Sequence, residues 1–148
     1  MNAESRDYNS ISPSAEYLVR LKGFTRIPFA KAAAAILVNP AEPAGKHPFS
    51  DEDRKAFYKR LLHFENRYWT VERLLRQTNP QNILEISSGY SFRGLDWCFR
   101  QPVHFIDTDL PDLVAAKSRL IDPLVSGKRA AMMGRFELLP LNVMEPSR

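Results

Sequence analysis

Apolar residues recur along this chain in two different periods, and the change from one to the other divides it. Residues 1 to 12 are polar and carry no period, which predicts a terminus without fixed structure. From Ser14, a residue type suited to capping, Tyr17, Leu18 and Leu21 follow at helical spacing, and Gly23 supplies a stop signal. An alanine-rich stretch predicts a second helix over Phe29 to Val38. The segment NPAEPAGKHP then holds three prolines and a glycine, which reads as a loop or linker. Ser50 opens the longest helical pattern, with acids in its first turn. Along it Phe57, Leu61, Phe64, Tyr68, Val71 and Leu75 recur at three- and four-residue steps, one apolar stripe of the kind that packs a core.

After Asn79 and Pro80 the period changes. Residues 82 to 87 and 102 to 107 are short apolar runs, and Phe136 to Val143 is a third; such runs are the strands of buried parallel sheets. Between them lie helical stretches from Ser91 to Arg100 and from Leu110 to Ile121, with Pro123 and Gly127 predicting a break before a basic, methionine-containing segment. Strand and helix alternating in this way predict an α/β fold with a parallel sheet and right-handed crossovers.

Composition narrows the class without naming it. With 148 residues, 44% apolar and 26% charged, the chain has an ordinary globular balance. No apolar run approaches the ~20 residues that span a bilayer. The polar start MNAESRDYNS has no signal-peptide core, so the expectation is a cytoplasmic protein that does not enter a membrane. The net charge of +4 comes from Lys and Arg scattered among acids, as in Asp51, Glu52, Asp53, Arg54 and Lys55, with no run of five like charges. Solvated helix faces account for that pattern better than a nucleic-acid partner does. The single cysteine, Cys98, has no companion for a disulfide or a metal and reads as a packing residue. His47, His63 and His104 read as surface or packing histidines, and no spacing suggests a metal site.

The candidate chemistry lies in NILEISSGYSFRGL, residues 82 to 95, and in VHFIDTDLPDL about twenty residues on. The first strand ends on Glu85 and breaks into a turn of small residues; the second ends on Asp107 and Asp109 before a helix start. A turn of small residues lets backbone N–H groups approach a ligand, and an acid ending the next strand accepts hydrogen bonds from ribose hydroxyls. A dinucleotide fingerprint needs G-x-G-x-x-G, whereas the turn here reads Ser87, Ser88, Gly89, Tyr90, Ser91, Phe92, Arg93, Gly94. The incomplete glycine pattern disfavours a nicotinamide cofactor. Glu85, Ser87 and Gly89 form E-x-S-x-G, which resembles the E-x-G-x-G motif of S-adenosylmethionine-dependent methyltransferases.

Taken in order and spacing, FENRYWTVERLL, ILEISSGYSFRGL, HFIDTDLPDLVAAK and LLPLNV resemble the N-terminal half of the leucine carboxyl methyltransferase family, across residues 50 to 143. The resemblance implies a Rossmann-like class I methyltransferase three-layer sandwich, here incomplete at three parallel strands. It also implies a helical extension over residues 1-49, serving as a lid, before a partial S-adenosylmethionine-binding domain over 50-148. It implies that Arg67 pairs with the carboxylate of the methionine moiety, for which a bidentate arginine is well suited; Lys31 is a weaker candidate for the same carboxylate. Ser87, Ser88 and Gly89 pass under that moiety, with Glu85 just before them. Asp109, directly before Leu110 and Pro111, takes the ribose in preference to Asp107, and Asn142 lies beside the adenine. Two positions depart from the family pattern: Ser87 stands for a glycine and Asn142 for an aspartate. Serine is small enough for the turn, and the Asn carbonyl oxygen can accept from an adenine amino group.

The implied activity is transfer of a methyl group from S-adenosylmethionine to a carboxylate or hydroxyl of a small molecule or protein. In-line attack needs orientation more than a dedicated nucleophile, so the absence of a catalytic triad does not count against it. In the implied strand order the three strands lie side by side with the first at an edge, its apolar residues open to water. That predicts self-association, a complementing chain or a longer protein. The alternative is a non-catalytic remnant of the fold that acts as a binding or regulatory partner.

Overall fold

The computed structural model describes residues 13–37 and 51–143. The proline-rich segment, His47, Ser50 and the first twelve residues lie outside them. The chain divides into two compact units, Glu16–Pro80 and a second that contains everything from Gln81 onward. The division falls at Pro80, whereas the sequence predicts a boundary at 49/50. The reason is that the long helix packs with the helices before it.

The helical unit contains α1 (Pro13–Lys22), α2 (Ala30–Leu37) and α3 (Asp51–Thr78). Ile27, Ala30 and Tyr68 form its buried cluster, with Phe64 packed against them. The backbone N–H of Arg26 donates to Glu65 Oε1 at 2.6 Å, fixing the α1–α2 connection on α3. Most of the predicted stripe on α3 is at least half-buried, but Val71 is exposed. Glu72, one residue on, is buried instead and meets Arg76 Nε at 3.1 Å.

The second unit is α/β, with β1 (Asn82–Glu85), α4 (Arg93–Arg100), β2 (His104–Asp109), α5 (Pro111–Val125), a single 3-10 turn (Arg129–Ala131) and β3 (Arg135–Pro140). The strands form a parallel sheet in the order β1-β2-β3, so β1 lies at an edge as expected. Register aligns Ile83 with Phe105 and Phe105 with Phe136. Helix α4 presses directly on this row. A Cβ on Gly94 would stand 2.6 Å from Phe136 Cε2 and 2.8 Å from Phe105 Cδ1, so glycine lets helix and sheet approach. Leu95, Trp97 and Cys98 complete the buried face of α4. On α5 the buried face is Leu113, Lys117, Leu120, Ile121, Leu124 and Val125.

Helix α5 does not break at Pro123; it runs on to Val125. Proline removes one hydrogen bond of the last turn, but Leu124 and Val125 are both buried, and their burial carries the helix past it. Gly127, at φ 71°, then turns the chain away. Strand β2 starts at His104 rather than at Pro102, since Pro102 has no N–H to donate and Val103 N–H turns back to Gln101 O at 2.9 Å. On the edge strand Leu84 is 57% exposed, and Ile86, just beyond it, is 55% exposed.

Candidate cofactor site

In open parallel sheets, ligands lie outside the carboxyl ends of the strands. At the carboxyl end of β1 the chain enters the turn through two left-handed residues, Ser87 and Gly89, each at φ 54°. Serine at such a φ is uncommon; glycine adopts it without cost. Thus Ser87 stands where the backbone favours the glycine that the family resemblance expects.

The turn is laced to the end of β2. Ser88 N–H donates to Thr108 O at 3.0 Å, and Thr108 Oγ1 donates to Glu85 O at 3.1 Å. Gly89 N–H donates to Asp109 Oδ2 at 2.7 Å, while the Asp109 Oδ1 accepts from Leu110 N–H at 2.8 Å. Each carboxylate oxygen therefore holds one protein hydrogen bond and keeps a lone pair for a further donor. A Cβ on Gly89 would meet nothing within 4 Å, so there is open space directly beside the turn. The carboxyl end of β3 joins the group through Leu141 N–H, which donates to Asp109 O at 2.8 Å.

Beneath the turn lies a charged pair that is fully closed to solvent. Lys117 Nζ donates to Asp107 Oδ2 at 2.6 Å and to Ser88 Oγ at 3.0 Å, with both members of the pair 0% exposed. Burial pushes the Asp107 carboxyl up to about 6, against the opposing pull of Lys117. Its Oδ1 is buried and has no hydrogen-bond partner among the described residues. Glu85 is held laterally, by Arg93 Nη1 at 3.2 Å and by Ser91 Oγ at 3.4 Å.

Of the residues singled out from the sequence, the structure brings Ser87, Ser88, Gly89 and Asp109 into one group, with Glu85 at its base. Asn142 is half-buried and follows Leu141 out of β3. Asp107 is sealed under the turn, while Asp109 stands beside it and is partly exposed. Ser88 turns its hydroxyl inward to Lys117, so only its neighbours are free to face a ligand. Arg67 and Lys31 are exposed residues of α3 and α2, in the helical unit. His104 lies at the opposite end of β2, against Glu137.

Three residues of the group were not singled out from the sequence: Thr108, Arg93 and Lys117. Lys117 did have a signal. It interrupts the stripe formed by Leu113, Leu120, Ile121 and Leu124, and a lysine inside a buried stripe requires a buried acid.

The fold and site define a class at the level of architecture: an α/β unit with a three-stranded parallel sheet, compatible with part of a Rossmann-like fold. Comparison with protein-family models, with curated proteins and with solved structures finds no match to this chain. Among the described residues no helix is long and apolar enough to cross a membrane.

Proposed function

We propose that the sheet unit binds S-adenosylmethionine at the carboxyl ends of β1 and β2, and that the protein is an O-methyltransferase or the cofactor-binding part of one. The observation that carries this reading is the Asp109 carboxylate, held at 2.7 Å by the Gly89 amide beside open space, with a lone pair left on each oxygen. A ribose offers two adjacent hydroxyl donors to such a carboxylate. The turn at Ser87 and Gly89 gives the methionine end a floor of backbone and small side chains, and Asn142 is assigned to the adenine on the family resemblance.

When bound, S-adenosylmethionine supplies a sulfonium methyl group to a substrate carboxylate or hydroxyl. The contribution of this chain is to orient that methyl group and exclude water. A second reading, a non-catalytic fold that pairs with another chain, is favoured by Leu84 and Ile86, exposed at the open edge of the sheet.

Amide chemical-shift mapping tests the site. Addition of S-adenosylhomocysteine is expected to move the signals of Gly89, Leu110 and Asn142 well before those of His104 or Arg135, at the far end of the sheet. Shifts scattered over both ends, or none, would remove the assignment.

A further inference from the structure

We propose that Lys117 and Asp107 are positioning residues for the turn: joined to Ser88, the buried pair fixes the Ser88–Gly89 backbone in the place where the Gly89 amide holds Asp109 for a ligand. This proposal rests on the cofactor reading for its purpose, though not for its geometry.

The ammonium group of Lys117 touches three separate parts of the fold. It donates to Asp107 in β2 and to Ser88 in the turn, and it stands 5.7 Å from the ring centre of Phe92, at the far end of the same turn. One side chain of α5 thereby holds both ends of the turn and the strand beneath it. A simpler solution was open to this sequence. An apolar residue at 117 over an apolar residue at 107 would extend the stripe of Leu113, Leu120, Ile121 and Leu124, and replacing buried ion pairs in that way is often neutral or stabilising. The pair is also not optimised for stability, because Asp107 Oδ1 is left without a partner among the described residues.

What the pair adds, and an apolar pair cannot, is the bond to Ser88. The turn needs such a hold. Ser87 sits at a φ that serine disfavours, and Gly89 gives the backbone freedom on the other side. Between them, Ser88 is tied through its N–H to Thr108 O above and through its hydroxyl to Lys117 below. The other charged or titratable groups around Asp107 are Glu85 from β1, and Arg93 and Cys98 from α4. None of these is bonded to Ser88 among the described contacts.

Ser88→Ala separates positioning from bulk stability, because it leaves the Lys117–Asp107 pair in place. Hydrogen exchange at the Ser88 and Gly89 amides is read in wild type, in Ser88→Ala, and in the double variant Lys117→Met with Asp107→Leu, together with the melting temperature and the affinity for S-adenosylhomocysteine. Positioning predicts that Ser88→Ala speeds exchange at position 88 and Gly89 and weakens affinity, each by about tenfold, the effect of one lost hydrogen bond, while the melting temperature falls by only the few degrees that one hydrogen bond is worth. The double variant is expected to show the same loosening in a fully folded sheet. Unchanged exchange in Ser88→Ala overturns the proposal and leaves the pair a plain core contact. If wild type binds no S-adenosylhomocysteine, the cofactor reading fails, and exchange at the two amides still decides whether the network positions the turn.

Discussion

Replacing Lys117 by Met removes the cation bonded to Asp107, a carboxylate that has no exposure to solvent. Methionine fits the space but offers no charge, so Asp107 must either stay ionised in an apolar setting or take up a proton. Breaking a buried pair by removing one partner costs about 3–5 kcal/mol. That is a large fraction of the ~5–15 kcal/mol that holds a domain folded. The pH dependence supplies the internal check. In wild type the Asp107 carboxyl is already pushed up to about 6 by burial, above its ordinary value of 3.8. Between those values the folded state holds a proton that the unfolded state lacks, so this group makes stability rise as pH falls through about 6.

Without Lys117 the carboxyl moves up further, and the same window extends to higher pH. The deficit of Lys117→Met is therefore expected to be largest at pH 8 and to shrink by about 1.4 kcal/mol per pH unit as pH falls toward about 6, below which the wild-type carboxyl takes up its own proton and the deficit levels off. The double variant Lys117→Met with Asp107→Leu carries neither charge and is expected to regain wild-type stability or exceed it. Urea denaturation followed by circular dichroism at pH 8, 7 and 5.5 reads all of this. A single variant within ~1 kcal/mol of wild type at pH 8 would refute the reasoning, since exposed pairs have that worth and buried ones do not. A double variant no better than the single one would refute it equally.

Ser87→Gly relieves a left-handed serine. A non-glycine residue costs about 1–2 kcal/mol there and glycine loses about half of that gain through chain entropy, so a net gain of ~0.5–1 kcal/mol in urea denaturation is expected. Gly94→Ala places a methyl group 2.6 Å from Phe136 Cε2; overpacking of this kind costs about 1–3 kcal/mol and outweighs the better helix propensity of alanine, so the melting temperature should fall. An unchanged melting temperature would mean that α4 does not sit as close to the sheet as described. The Cys98 thiol is pushed up to about 11 by burial, so a disulfide reagent at pH 8 should label it only in denaturant; rapid labelling of the folded protein would contradict its place in the core.

The strand-turn-helix repeats could be read from the sequence because their signals are local. Ile83, Leu84, Phe105 and Ile106 form short apolar runs, and Asn79 with Pro80 and Ser87 to Gly89 punctuate them. The sequence sets Asp109 apart from Asp107 by the Leu-Pro that follows it, whereas the burial of Asp107 under the turn is a tertiary fact. What could not be read depended on tertiary contacts. Pro123 looks like a helix breaker on its own, and only the burial of Leu124 and Val125 shows why α5 passes it. The proline-rich segment looks like a boundary, yet Phe64 and Tyr68 pack with Ile27 and Ala30 and draw α3 into the helical unit. Lys117 is a polar exception in the apolar stripe of α5, and only its buried partner Asp107 shows what the exception means.

The central claim is that Asp109 and its turn bind S-adenosylmethionine, and a calorimetric titration of the purified chain with S-adenosylmethionine and S-adenosylhomocysteine, beside Asp109→Ala, tests it most directly. Saturable binding to wild type is expected, weakened roughly ten- to a hundredfold in the variant, which is the worth of a hydrogen bond to a charged group. A folded wild-type chain that binds neither compound, or a variant that binds as wild type does, would contradict the claim and leave the exposed edge of β1 as the feature to explain.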